Sequence, residues 1–120
     1  MIKILIVDDD SRFRRLIKGM FSREPEIDVI GEAENGQEAI LKARELRPDL
    51  VLMDVRMPGM NGLEATRLLK NEMPGLKVIM LSIYDMDEYR EAAKAAGADD
   101  YILKKHMNEG LVLAIKEAFE

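Results

Sequence analysis

The stretch ILIVDDDS, residues 4–11, runs four apolar residues, Ile4 to Val7, directly into three aspartates, Asp8, Asp9 and Asp10. An apolar run without alternation is what a strand looks like when a parallel sheet is covered on both faces. Three like charges at its end repel one another, so they either cap a following helix or gather around something cationic.

Two further runs of the same kind follow, Leu50 to Met53 and Val78 to Leu81, with a shorter one at Tyr101 to Leu103. Asp28 to Ala33 is a more polar candidate, which places it at a sheet edge. Between the runs the period becomes helical. Phe13, Leu16, Ile17, Met20 and Phe21 form one stripe, and Tyr89, Ala92, Ala93 and Ala96 form another. Ala39, Ala43 and Leu46, then Ala65, Leu69 and Met73, then Leu111, Ile115 and Ala118 supply three more. Pro25, Pro48 and Pro74 fall just beyond three of these helices, and Gly97 closes a fourth, as stop signals do. Strand then helix, five times over, predicts a doubly wound α/β fold with right-handed crossovers and a parallel sheet in the order 2-1-3-4-5.

With 120 residues and no linker or repeat, the chain reads as one domain, residues 1–120. A chain of this size buries roughly two-thirds of its unfolded surface, so no covalent staple is needed. It has no cysteine, which excludes disulfides and thiolate metal sites and fits a reducing compartment. The longest apolar run, Leu111 to Ile115, falls far short of the ~20 residues that span a bilayer. The apolar opening leads into the acidic cluster rather than to a small-residue cleavage site. A cytoplasmic protein without membrane contact is expected. The net charge of -5 argues against nucleic-acid binding by this domain, and RFRR at 12–15 and KK at 104–105 read as solvated surface.

Ligands of an open parallel sheet bind beyond the carboxyl ends of the strands, near the switch in strand order. The residues that follow the apolar runs are Asp8 and Asp9, Asp54, Ser82 and Lys104. Three carboxylates, a hydroxyl and an ammonium should therefore share one rim. Carboxylates held close resist ionising together unless a cation neutralises them. An oxygen-only set without histidine or cysteine suits a hard ion, Mg²⁺ by preference with Mn²⁺ tolerated. The same constellation suits phosphoryl transfer, with a carboxylate as nucleophile and the metal, lysine and hydroxyl stabilising the transferred oxygens. Asp54, at the end of a central strand, is the expected nucleophile, and Asp8 and Asp9 the metal-holding pair.

IVDDD at 6–10, LVLMDVRMPGMNG at 50–62, VIMLS at 78–82 and AGADDYILKK at 96–105 together resemble the receiver (phosphoacceptor) domains of two-component response regulators, over the whole chain. The resemblance implies the flavodoxin-like (βα)5 arrangement, for which 2-1-3-4-5 is the family's own order. It makes Asp54 the residue phosphorylated by a histidine kinase, and Asp8, Asp9, Asp54 and the Arg56 backbone carbonyl the metal ligands. Ser82 matches the switch hydroxyl, Tyr101 the switch aromatic, and Lys104 the lysine that pairs with the phosphoryl group. Asp10 or Ser11 is then left as a helix cap. Phosphorylation is expected to move Ser82 and Tyr101 and to remodel the face formed by the fourth helix, fifth strand and fifth helix.

Two positions depart from the family. Its lysine is usually followed by proline, often cis, whereas Lys105 stands here; a cis bond without proline costs about 2.5–4 kcal/mol, so a trans bond is expected. A small residue usually follows the switch hydroxyl, whereas Ile83 and Tyr84 stand here and can screen attacking water. Arg56, Ile83 and Tyr84 are accordingly read as modulators of dephosphorylation, which should be slow.

The methionines fall mostly at core spacing or strand ends, the lone His106 reads as surface, and Met57-Pro58-Gly59 with Asn61-Gly62 reads as turn chemistry. No nucleotide-binding glycine loop is present. DVIGEAENGQEAI at 28–40 and DVRMPGMNG at 54–62 look most like receivers fused to a LuxR-type helix-turn-helix output. A phosphorylation-dependent homodimer through helices 1 and 5, or through the helix 4 to helix 5 face, is expected if the chain is excised from such a protein. Two rival readings are a receiver-like interaction module that takes no phosphate and a hydrolase of the aspartyl-phosphate type. The hydrolase reading is weakened by Arg56, which stands two residues beyond Asp54 where such enzymes carry a second aspartate.

Overall fold

The computed structural model describes residues 1–120, as five strands and five α-helices in strict alternation. The strands are β1 (Ile2–Val7), β2 (Ile27–Ala33), β3 (Leu50–Met53), β4 (Lys77–Ser82) and β5 (Asp100–Leu103). The helices are α1 (Ser11–Phe21), α2 (Gly36–Leu46), α3 (Gly62–Glu72), α4 (Asp87–Ala96) and α5 (Met107–Glu117). A short 3₁₀ turn, Lys104–His106, joins β5 to α5 and was not legible from periodicity. All neighbouring strands are parallel, in the order β2-β1-β3-β4-β5. The polar strand β2 lies at one edge, as its composition requires.

The apolar runs are buried on both sides because alternate residues of each strand enter different cores. Leu5, Val7, Val51, Met53, Val78 and Met80 pack with α2 and α3 residues such as Ala39, Ala43, Ala65 and Leu69. Ile4, Ile6, Leu50, Leu52, Ile79 and Leu81 pack with Ile17, Phe21, Leu111 and Ile115 of α1 and α5. One member of the expected α1 stripe departs from this pattern. Leu16 is 57% exposed, while Ile17 and Phe21 carry the buried face. The buried stripe is therefore narrower than the sequence period suggests, with Phe13 and Met20 half-buried beside it.

The helix ends obey local chemistry. Asp10, rather than Ser11, caps α1 by accepting the Arg12 amide at 2.9 Å. Asn35 and Asn61 cap α2 and α3 by accepting the amides of Glu38 and Glu64. Gly97 terminates α4 at φ 98°, a left-handed conformation that side chains disfavour. Every peptide bond is trans, including Lys104–Lys105. His106 is exposed. No helix is long and apolar enough to cross a membrane.

Candidate functional site

The sheet delivers five polar groups to the carboxyl ends of its strands. Asp8 leaves β1, Asp54 leaves β3, Ser82 ends β4, and Lys104 leaves β5, while Asp9 follows Asp8 on the rim. Asp8, Asp54 and Ser82 are buried and Asp9 is exposed. Carboxylate oxygens of Asp8, Asp9 and Asp54 all lie within 4.8 Å of one another. Lys104 Nζ donates to Asp8 Oδ2 at 2.8 Å and stands 3.9 Å from Asp54 Oδ1, across 96 residues of chain from Asp8.

Each member is held by its own loop. The Asp10 amide donates to Asp8 Oδ1 at 2.9 Å, and the Val55 amide donates to Asp54 Oδ1 at 3.0 Å. Behind Asp54 the chain is locked by Gly62, whose amide donates to the Val55 carbonyl at 2.8 Å. A Cβ at position 62 would lie 1.8 Å from the Asp54 carbonyl oxygen, so only glycine fits. Gly62→Ala is expected to cost about 1–3 kcal/mol of stability, the range for forcing an atom into filled space. Chemical denaturation measures this, and an unchanged midpoint would contradict the contact.

The electrostatics follow from this packing. Burial first, then the charge of Asp8 and less that of Asp9, push the Asp54 carboxyl up to about 7, against the pull of Lys104 and the Val55 amide. A carboxyl with so displaced a proton affinity, at the mouth of an acidic cluster, marks a candidate functional group. The donor set fits a hard divalent cation, because three carboxylates offer only oxygen and their repulsion needs positive charge. The Arg56 carbonyl, which follows Asp54 on the same loop, accepts no backbone hydrogen bond.

On the β4 side, Ser82 Oγ accepts the Tyr84 amide at 3.0 Å, and the Tyr101 hydroxyl donates to the Tyr84 carbonyl at 2.7 Å. Tyr84 thus joins the two expected switch residues through its own backbone. Its ring stacks on Tyr89, with centroids 4.7 Å apart, and the Arg56 guanidinium lies 5.9 Å from the Tyr84 ring. Ile83 is 69% exposed.

The sequence reading missed several supports. Arg14 does not belong to a solvated basic patch. Its side chain is 13% exposed, it bonds Glu32 of β2 at 2.9 Å, and its guanidinium donates to the Asp8 carbonyl. Phe13 places its ring centroid 4.0 Å from Lys104 Nζ. The signal for both was their place in the first turn after the aspartates, where side chains lean back over the preceding residues.

Comparison with known proteins agrees with this geometry. The family model described as response regulator receiver domain matches residues 4–116. The chain is 42% identical over 118 residues to the response regulator protein VraR of Staphylococcus saprophyticus, covering 98% of this chain and 56% of that protein. It is 41% identical over 119 residues to the response regulator GacA of Pseudomonas aeruginosa, covering 99% and 56%. The chain therefore spans about half the length of the curated relatives it matches. Among solved structures, a LuxR-family two-component response regulator from Aurantimonas sp. SI85-9A1 superposes with a TM-score of 0.94 at 30% identity, covering 98% of this chain and 84% of that one. The response regulator domain of Thermotoga maritima CheB gives 0.91 at 32% identity, covering 98% and 96%. Four strand ends bearing the expected carboxylates, hydroxyl and lysine, and a family match across almost the whole chain, lead to one assignment: this chain belongs to the response regulator receiver domains, the signalling modules of two-component systems.

Proposed function

We propose that residues 1–120 form one cytoplasmic receiver domain that accepts a phosphoryl group on Asp54 from a histidine kinase and uses the resulting charge to change its α4–β5–α5 surface. The observation that carries this reading is the Lys104 ammonium, which leaves the edge strand β5 and stands 2.8 Å from Asp8 and 3.9 Å from Asp54, the carboxylate that follows the central strand β3. An Asp54 oxygen attacks phosphorus, the bond from phosphorus to the donor's leaving atom breaks, and the leaving atom takes the departing electron pair. Lys104 places positive charge beside the transferred oxygens, and Ser82 offers a hydroxyl proton to one of them. Asp8, Asp9, Asp54 and the Arg56 carbonyl would hold Mg²⁺, or Mn²⁺ in its place, which would supply positive charge beside the carboxylates and the phosphoryl oxygens.

The new group carries about -1.5 to -2 charge, by analogy with other phosphorylated side chains. Ser82 would then exchange its bond from the Tyr84 amide for one to the phosphoryl group. That frees the Tyr84 backbone, and with it the acceptor of the Tyr101 hydroxyl, so a local charge reaches the α4–β5 face. Ligation of this kind biases an existing equilibrium between surfaces. By analogy with the LuxR-family relatives, the full-length protein would carry a DNA-binding output, and a changed α4–β5–α5 surface would give phosphorylation a means to control dimerisation.

Intact mass after incubation with acetyl phosphate, with and without Mg²⁺, tests the reading. One added phosphoryl group that requires Mg²⁺ is expected. No adduct under saturating magnesium and rapid quenching would favour an interaction module that does not use phosphate. Ile83 and Tyr84 should slow hydrolysis of the adduct by screening water. Ile83→Ala combined with Tyr84→Glu is expected to shorten the phosphoryl lifetime several-fold, followed by the decay of the adduct mass; an unaltered decay would remove both residues from that role.

A further inference from the structure

Lys104 is the one member of the site whose side chain is long, flexible and reached from the far end of the chain. An unbraced lysine samples many rotamers, and holding it in one costs entropy. Its ammonium bonds Asp8 at 2.8 Å. That partner is unreliable during the reaction, because Asp8 also belongs to the oxygen set suited to a cation. An ion held by Asp8 would compete with Lys104 for that carboxylate, leaving Asp54 Oδ1 at 3.9 Å as its nearest remaining anion in the site.

Phe13 provides a brace that no cation can claim. It is half-buried in the first turn of α1, within the core that contains Ile17, Leu81 and Leu111. Its ring centroid lies 4.0 Å from Lys104 Nζ, and the Lys104 side chain is only 18% exposed. A ring face attracts a cation through its quadrupole, most strongly where water is scarce. The same segment carries Arg14, whose contact with the Asp8 carbonyl fixes the first turn of α1 against the acidic loop. The ring is therefore anchored at both its core and its rim.

We propose that Phe13 is a positioning residue, which holds the Lys104 ammonium at the carboxylate rim through its ring face while Asp8 is committed elsewhere. The proposal rests on the phosphoacceptor reading for its effect on rate, but the contact itself does not. It assigns the work of orienting the lysine to a neighbouring helix, at a position where the following residue, Lys105, is not the proline usual in the family.

Progressively fluorinated phenylalanines at position 13 test it, because fluorine withdraws charge from the ring face while nearly preserving its shape. With Mg²⁺ and acetyl phosphate, the phosphorylation rate at saturating donor should fall stepwise with fluorination, by about two- to fivefold over the series. The fold and its melting temperature should stay constant. A rate that does not change along the series, with wild type active, overturns the proposal. A second measurement needs no phosphorylation: the ring should shift the Lys104 side-chain proton resonances, and Phe13→Leu should abolish that shift. Its presence in the wild type supports the contact even if no adduct forms, which would instead count against the functional reading. Its absence overturns the proposal.

Discussion

In metal-free buffer at pH 8, Asp54→Asn should be more resistant to urea than the wild type by about 1–3 kcal/mol, and it should take no phosphoryl group from acetyl phosphate at any Mg²⁺ concentration. The loss of the adduct follows from removing the nucleophilic oxygen. The gain in stability follows from burial, with Asp8 next and Asp9 adding to it, which together raise the Asp54 carboxyl from 3.8 to about 7 despite Lys104. Between those two values the native state holds a proton that the unfolded chain has released. Stability therefore falls as pH rises from about 4 to about 7, and the full penalty is present above 7. The whole displacement corresponds to an upper limit of about 4 kcal/mol, which water entry and local relaxation reduce. Asparagine keeps the shape and the acceptor for the Val55 amide but carries no charge. Its advantage should narrow between pH 8 and pH 5; an advantage of equal size at both would mean that Asp54 is not the strained group.

Lys104→Met is expected to slow phosphorylation by acetyl phosphate by about 10²–10³-fold, the effect of removing one preorganised donor from a transition-state site. Methionine retains the length of the side chain and its contact with the Phe13 ring, so the change is chiefly electrostatic. It also strips Asp8 of its 2.8 Å partner and removes the pull that opposes the rise of the Asp54 proton affinity. A time course of adduct mass measures the rate. Rates close to wild type would place Lys104 outside the reaction, as a partner of Asp8 only.

The strands and the site's principal groups were legible because both depend on position along the chain. Apolar runs without alternation mark doubly covered strands, and in a parallel sheet whatever follows each run arrives at the same rim. Strand boundaries were less legible. β1 begins at Ile2, β2 at Ile27, β4 at Lys77 and β5 at Asp100, each at least one residue earlier than its side chains suggest, because backbone pairing continues past the apolar run. The contacts of Arg14 and Phe13 were illegible for another reason: they depend on side-chain direction and on partners in other elements, Glu32 for Arg14 and Lys104 for Phe13. Tyr84 was read as a screen against water, but the bridge its backbone makes from Ser82 to Tyr101 depends on a loop conformation that periodicity does not encode. Leu16 shows the converse, a residue with the period of a core position that the fold leaves in water.

The close approach of Gly62 to the Asp54 carbonyl decides where motion can go. A site that converts a new charge into movement needs one fixed jaw and one that yields. The β3–α3 corner is the closely packed jaw: the Gly62 Cα lies against the Asp54 backbone with no room for a side chain. On the opposite side the Tyr84 backbone bonds Ser82 and Tyr101 through two hydrogen bonds, each worth about 1 kcal/mol net, beside the Tyr84–Tyr89 stack and the Arg90 guanidinium over the Tyr101 ring. On the proposed phosphoacceptor function, displacement would therefore run away from α3 and toward α4.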